Sequence, residues 1–583
     1  MDNIKEFAKE AIINNILLLP RKNLRSLLCF FMKVDLNSAF GSIGHGSARK
    51  SSNLPPGPYQ FPIIGNILAL GSKPHQSLAK LSKKYGPLMS IKLGNLTTIV
   101  VSDPETAKIV LQKHDLAFSG RAISNAAHSL NHEKFSIAWL PVDNQWRKLR
   151  RICKEQMFSV ARLDASQGLR MEKLQKLCEY VKECCEMGRA VDIGQAAFTT
   201  SLNLISTTLF SVEFARFGSD SSQEMKDVVW GVMKGVGSPN LVDYFPVLKR
   251  ADPQGILRET RVYFEKLFAI FDGIIDEKMK LRGEKNDLLE ALIDLNERDE
   301  FSRNDIKHLL LDLFIAGTDT TSGTVEWAMT ELLRNPEKLS TLRKEITDCT
   351  VGSENETIQE SNIPRLPYLQ AVVKETFRLH PAVPFLIPHM AEADVEINGY
   401  TVPKNAQILV NVWAIGRDTT IWPNAELFLP ERFLDDKIDF RGQDFELIPF
   451  GAGRRICPAL PLAYRMVHLM VATLVGNFGW ELEERVKPEE LDMNDKVIFF
   501  ALQVLPIHIC MISLIEWGGF LSLVGGGVSW KLGVRLESEL CDLSDLTCVF
   551  LLMSVICVFL LYFLCELLHT NLLKHNSPKD LKP

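Results

Sequence analysis

Ten residues, Pro449–Phe450–Gly451–Ala452–Gly453–Arg454–Arg455–Ile456–Cys457–Pro458, constrain this chain more than any other stretch. They set a glycine-bearing loop directly ahead of a cysteine, and an apolar, helix-like run follows over Leu460–Val475. Glycine lets a backbone turn sharply and pass close to a flat ligand. A cysteine at the start of a helix faces unpaired backbone N–H groups and the positive end of the helix dipole, and both favour the thiolate. Arg455, two residues earlier, is suited to pair with an anionic ligand edge. A thiolate in an apolar setting beside a cationic loop is what a haem iron requires of a thiolate axial ligand.

Three further patterns belong with this loop. Ala316–Gly317–Thr318–Asp319–Thr320–Thr321 lies inside the helix-period stretch Asp305–Arg334. Glycine and short polar residues in mid-helix cost stability, so here they point to a local groove rather than to packing. Glu375 and Arg378 stand three apart on the helix-period stretch Tyr368–Leu379, on one face. Trp146 and Arg150 stand four apart, and an indole N–H with a guanidinium suits a carboxylate.

Together these residues are similar to those of the cytochrome P-450 monooxygenases. FGAGRRIC resembles that family's haem-binding loop, and the order along the chain is the family's: a proline hinge at Asn53–Pro58, WxxxR, AGTDTT, ExxR, PERF and the cysteine loop. DIKHLLLDLFIAGTDTT, NVWAIGRD and DFELIPFGAGRRICP resemble the plant subfamily that contains geraniol 8-hydroxylase. The resemblance implies a mainly α fold with a minor β part, the haem-thiolate fold, carrying haem b with Cys457 as the metal ligand. It implies Thr320 and Asp319 as the pair serving O2 activation and proton delivery. Trp146, Arg150 and Arg455 are implied to hold the haem propionates, with Phe450, Gly451 and Ala316 beside the macrocycle. His389 stands where many relatives carry an arginine that approaches a propionate, a departure that weakens one such contact. Glu375, Arg378 and Arg432 are implied to form a structural triad, and Ala316, Ala382, Val383 and Phe385 to wall the substrate pocket. Ala459 is a second departure, since the family carries glycine there.

The expected reaction inserts one oxygen atom of O2 into a small lipophilic substrate, a terpenoid alcohol such as geraniol. NADPH–cytochrome reductase would supply the electrons, because no flavin or nicotinamide fingerprint is present in the sequence. A haem-thiolate isomerase or dehydratase, a non-catalytic haem-binding relative and a membrane scaffold remain as rivals. Composition narrows the classes further. With 46% apolar and 23% charged residues the chain is globular, and a net charge of −5 gives no reason to expect a nucleic-acid partner. Its 12 cysteines show no zinc-type spacing, so most read as reduced, buried thiols.

Three segments are expected: an N-terminal tail over 1–54, a catalytic body over 55–496 and an atypical extension over 497–583. The tail mixes eight Lys/Arg with short apolar runs and could lie on a membrane surface, but no run reaches the length needed to span one. Leu546–Cys565 is 20 residues without a charge and is a transmembrane candidate; Val497–Ile515 is also uncharged but is interrupted by Pro506 and His508. Expected localisation is the endoplasmic reticulum membrane with the body on its cytosolic side. Relatives close the substrate pocket with a β-turn that is faint here at Phe500–Pro506, and the last segment resembles the start of another such protein, as a fused or mis-spliced gene would produce.

Overall fold

The computed structural model describes residues 53–281, 287–350, 358–435, 437–482, 487–491, 493, 495–498, 501–504 and 511–514. The tail over 1–52 and the transmembrane candidate 546–565 lie outside the described residues. Backbone contacts divide the chain at 516/517, and every described residue belongs to the first unit.

The longest element is helix α8, Arg303–Arg334, and its start is written locally. Ser302 accepts from the Asp305 N–H while the Asp305 carboxylate accepts from the Ser302 N–H, a reciprocal cap that satisfies two otherwise orphan donors. Its apolar positions are buried nearly all round, because helices α4 (Ile193–Phe210), α6 (Ile256–Leu281), α10 (Pro367–Leu379) and α11 (Leu460–Asn477) pack about it. Before α4 come α1 (Pro74–Tyr85), α2 (Asn144–Cys153) and α3 (Gln167–Glu186); α5 (Asp220–Gly237), α7 (Leu288–Glu297) and α9 (Pro336–Thr350) complete the longer helices. The α8–α4 crossing is close. A methyl on Gly317 would come within 2.9 Å of the Ile205 side-chain terminus, so glycine lets the helices cross without displacing that side chain. The helical stretches expected at 305–334 and 368–379 both appear, longer by two residues and by one.

A five-stranded sheet flanks this bundle in the order β1 (Leu88–Leu93), β2 (Leu96–Val101), β7 (Gln407–Val410), β4 (His389–Met390), β3 (Gly120–Arg121). β2 and β7 run parallel with Val101 opposite Val410, while the other pairs are antiparallel. Residues 309 apart in sequence are thereby joined, and Arg121 is set opposite His389. β5 (Val395–Ile397) and β6 (Tyr400–Val402) form a separate hairpin.

The proline hinge is pinned rather than free. Pro55 and Pro56 carbonyls accept from Ser90 Oγ (2.6 Å) and N–H (2.9 Å), and Asn53 O accepts from the Thr401 N–H (2.8 Å). At the other end, the boundary expected at 496 falls inside β9 (Asp495–Ile498), which pairs with β10 (Ala501–Val504); β11 (Met511–Leu514) pairs with β8 (Phe478–Glu481). The hairpin that the sequence shows only faintly at 500–506 is thus present, and the uncharged run 497–515 contains strands. Among the described residues no helix is long and apolar enough to cross a membrane.

Candidate active site

A cavity of about 290 Å3 opens where α8, the cysteine loop and the segment after α10 meet. Cys457 lines it, and its N–H donates to the Phe450 carbonyl (3.0 Å), which closes the loop ahead of α11. Gly451 and Gly453 hold φ of +71° and +66°, a left-handed backbone that excludes ordinary side chains; a methyl on Gly453 would also strike the Leu111 carbonyl. Phe450 lines the cavity and packs edge-on to Phe377 at 5.2 Å.

The thiol does not titrate as the helix start alone suggests. Burial pushes the Cys457 pKa up, while the N–H groups of Ala459 and Leu460 and the charge of Arg150 pull it down, and burial wins. A bound metal cation would reverse that balance by stabilising the thiolate directly. Ala459 caps α11 with φ of −87°, a conformation any L-residue adopts, so the departure from glycine strains no backbone.

Three arginines share one end of the cavity. Arg150 Nη1 donates to Ile456 O (2.8 Å); Arg455 donates from Nε to Ser119 O (2.7 Å) and from Nη2 to Leu140 O (2.6 Å); Arg121 donates to Ala138 O (3.3 Å) and Ile387 O. None of the three pairs with a carboxylate among the described residues. Burial lowers all three, Arg455 to about 10, and repulsion from neighbouring guanidiniums adds to the lowering at Arg121 and Arg455. Clustered cations bonded only to carbonyls form a receptor for an anionic edge, and the two carboxylates of haem b fit it. Arg121 is a member that the sequence reading missed; only its register opposite His389 brings it in. The Trp146 indole N–H donates to Ile137 O (3.1 Å), and its ring is a platform with the guanidinium carbons of Arg150 and Arg455 at 5.5 and 5.2 Å from its centroid. His389 lines the cavity, buried, and donates from Nδ1 to Phe118 O (2.7 Å). Burial and the charge of Arg121 hold its pKa well below the ordinary value.

On α8, Ala316, Gly317, Thr320, Thr321 and Thr324 line the cavity. Thr320 Oγ1 donates to Ala316 O (2.8 Å), a back-bond that recurs at Thr318, Ser322 and Thr324 and keeps these hydroxyls satisfied within the helix. Asp319 does not line the cavity. Burial raises it to about 6, and Lys226 on α5 opposes the rise. Ala382 and Val383 line the cavity, whereas Phe385 does not. It is buried in a separate cluster with Leu78, Met89 and Leu409, while Leu386, at φ of +56°, and Ile387 turn to the cavity in its place.

Glu375, Arg378 and Arg432 do come together. Arg378 forks onto Glu375 (2.7 and 2.8 Å) and also donates to the carbonyls of Gly416, Ala425 and Leu427; Arg432 Nε reaches Glu375 at 3.1 Å. Both members of the fork are fully buried, so the arrangement stands or falls as a unit.

Comparison with known proteins fits this geometry. Residues 55–511 match the family model for cytochrome P450. The chain belongs to the cytochrome P450 family. As a cytochrome P450 it is an oxygen-incorporating oxidoreductase, and the family implies a haem with thiolate ligation, O2, a redox partner and a lipophilic substrate. It is 59% identical to cytochrome P450 76T24 of Catharanthus roseus over 472 residues, 80% of this chain and 94% of that one. It is 50% identical to geraniol 8-hydroxylase of Catharanthus roseus, covering 81% of this chain and 95% of that one. Ferruginol synthase of Isodon rubescens is 52% identical, with 78% and 94% covered. Among solved structures, a zebra fish cytochrome P450 with progesterone superposes with a TM-score of 0.65 at 26% identity, over 76% of this P450 and 99% of that chain.

Proposed function

We propose that this cytochrome P450 hydroxylates a small lipophilic substrate, a terpenoid alcohol of the geraniol kind, with O2 and electrons from NADPH–cytochrome reductase. The observation that carries the reading is Cys457 facing an apolar cavity whose one strongly cationic end suits a dianionic macrocycle. Cys457 would hold the iron, and Arg121, Arg150 and Arg455 the propionates, with Trp146 supporting two of the guanidiniums. The bound haem supplies the oxygen-activating chemistry. Around it, Ala316, Ala382, Val383, Leu386 and Ile387 exclude water and hold an apolar substrate. Thr320 presents a hydroxyl to the cavity, and Asp319, one residue back and poised near neutrality, is suited to pass it a proton from the far side of α8. Retention of both residues favours O2 chemistry over an isomerase, a dehydratase or a binding-only relative. The substrate class rests on about 50% identity to proteins named for terpenoid chemistry.

Membrane association belongs to the same proposal, at the endoplasmic reticulum with the body on the cytosolic side. Tyr59, Phe61, Ile63 and Val247 are 77%, 52%, 69% and 74% exposed. Bridges from Gly65 to Leu93 and from Asn95 to Tyr244 draw their loops to one side, giving an apolar patch of the kind that meets lipid.

The test is direct. The full chain, reduced and exposed to carbon monoxide, should give the red-shifted thiolate-type Soret band. Reconstituted with the reductase and NADPH, it should convert geraniol to a hydroxylated product. A thiolate-type band with no turnover of geraniol or other terpenoid alcohols would remove the substrate assignment; absence of the band would remove the ligation by Cys457.

A further inference from the structure

The segment 125–140, between β3 and α2, gives the cavity two of its walls, Ile137 and Ala138. Its path is awkward. Leu130 and Asn131 both sit in the left-handed region, at φ of +53° and +59°, next to a break from helical geometry at Ser129. Two successive non-glycine residues in that region are costly, and such backbone persists only where its surroundings over-determine it. The residue that follows the strained pair is His132.

His132 is held from both ring nitrogens. Its Nδ1 lies 2.8 Å from Nδ1 of His308 on α8, and its Nε2 lies 3.1 Å from Asp312 Oδ1 one turn further along. Asp312 continues the chain of bonds. Its Oδ1 accepts from Ser136 Oγ (2.9 Å) and its Oδ2 from the N–H of Ile137 (2.8 Å), the wall residue itself. Rings close the arrangement. His308 stacks on Phe135 (4.9 Å) and meets the edge of Phe268 (4.7 Å) on α6, and His132 meets Phe264 (5.2 Å) on the same helix.

We propose that His132 and His308, with Asp312, are a clasp that fixes segment 125–140 as a rigid wall of the cavity, so that the histidine pair are positioning residues for whatever lipophile binds there. The same segment is also held from the cavity's cationic end, where Arg121 donates to Ala138 O and Arg455 to Leu140 O.

Proton accounting supports a permanent clasp rather than a switch. A carboxylate only accepts, so His132 Nε2 carries a hydrogen. The facing Nδ1 atoms then need one hydrogen between them, and two would drive them apart. The second hydrogen is withheld because burial, His132 and Lys307 together hold His308 to about 3, against the pull of Asp312. Other charged neighbours are satisfied elsewhere: Lys307 pairs with Asp272 and Glu133 with His128, and α6 offers the pair only phenylalanine rings.

The inference rests on the family's haem chemistry but not on the terpenoid assignment, and its test uses azoles, which ligate the iron of any loaded P450. His308→Phe keeps the ring stacking and removes the bond; His308→Asn restores a donor at the Nδ1 position. Spectral titration of the full-length holoprotein with 1-benzylimidazole, which reaches the wall, should show His308→Phe binding at least about tenfold more weakly than the parent, because the wall must now be ordered on binding. Imidazole alone, too small to reach it, should bind within about twofold, and His308→Asn should recover most of the benzylimidazole affinity. Unchanged benzylimidazole affinity in His308→Phe, or no recovery in His308→Asn, would overturn the proposal. Hydrogen exchange on the parent gives a check free of variants. The Ile137 amide should exchange as slowly as amides of α8, and exchange at the rate of an open loop would equally overturn it.

Discussion

Asp319→Asn separates the electrostatic cost of this site from its use. Asp319 is raised from 3.8 to about 6 chiefly by burial, with Lys226 in opposition. Between those two values the folded protein holds a proton that the unfolded chain has released. Unfolding free energy therefore falls as pH rises from about 4 to about 6 and is flat beyond, where the full cost is present. A shift of about two units corresponds to at most about 3 kcal/mol, and the partial exposure of the side chain together with the amide's own desolvation reduces what substitution recovers to about 1–2 kcal/mol. Asparagine is isosteric and never ionises, so the variant should be more stable than the parent by that amount at pH 7.5 and equally stable near pH 4. For a body of this size about 1 kcal/mol moves Tm by only about 1 °C, so urea midpoints at the two pH values are the better assay. Turnover should fall at the same time, by about 10²-fold if Asp319 delivers protons, with the carbon monoxide spectrum and substrate affinity unchanged. Stabilisation that is greater at low pH than at neutral pH would refute the burial argument, and full turnover in the more stable variant would refute the proton role.

Three further outcomes follow from the geometry. Arg378→Leu strands the Glu375 carboxylate and three buried carbonyls, at a cost of at least about 5 kcal/mol, so little folded protein should accumulate in soluble expression, whereas Arg432→Gln should cost only about 1–2 kcal/mol. Ala459→Gly should leave the carbon monoxide band in place and change stability by no more than about 1 kcal/mol, because the alanine already occupies an ordinary backbone region; a large gain in haem retention would show that its methyl obstructs the site. Cys457→Ser should lose the thiolate-type band while keeping the parent's far-UV helix signal, since the side chain is held only by the N–H groups that follow it.

Much of this protein was legible along the chain because the signals are local. The apolar period of α8 and the glycines of the cysteine loop each express constraints among residues a few positions apart, and both appear where the sequence indicates. The Glu375–Arg378 fork is likewise one helical turn, although E-x-x-R recurs in the chain and only context selected this pair. The errors lie where the path is irregular. After α10 no period says which way a side chain faces, and the positive φ of Leu386 turned Phe385 into a separate core and Leu386 into the cavity. The hairpin over 495–504 was faint because strands of four residues are too short to show an alternation.

What the sequence by itself determined is therefore the family, the helices and the identity of the residues around Cys457, since spacing on a regular element already places side chains. Only the tertiary structure decided the members drawn from a distance. Arg121 enters through the register of a two-residue strand, and His132 meets His308 across 176 positions. It also decided the sign at Cys457: the helix start favours the thiolate locally, but desolvation depends on everything packed around the sulfur, and that sum runs the other way.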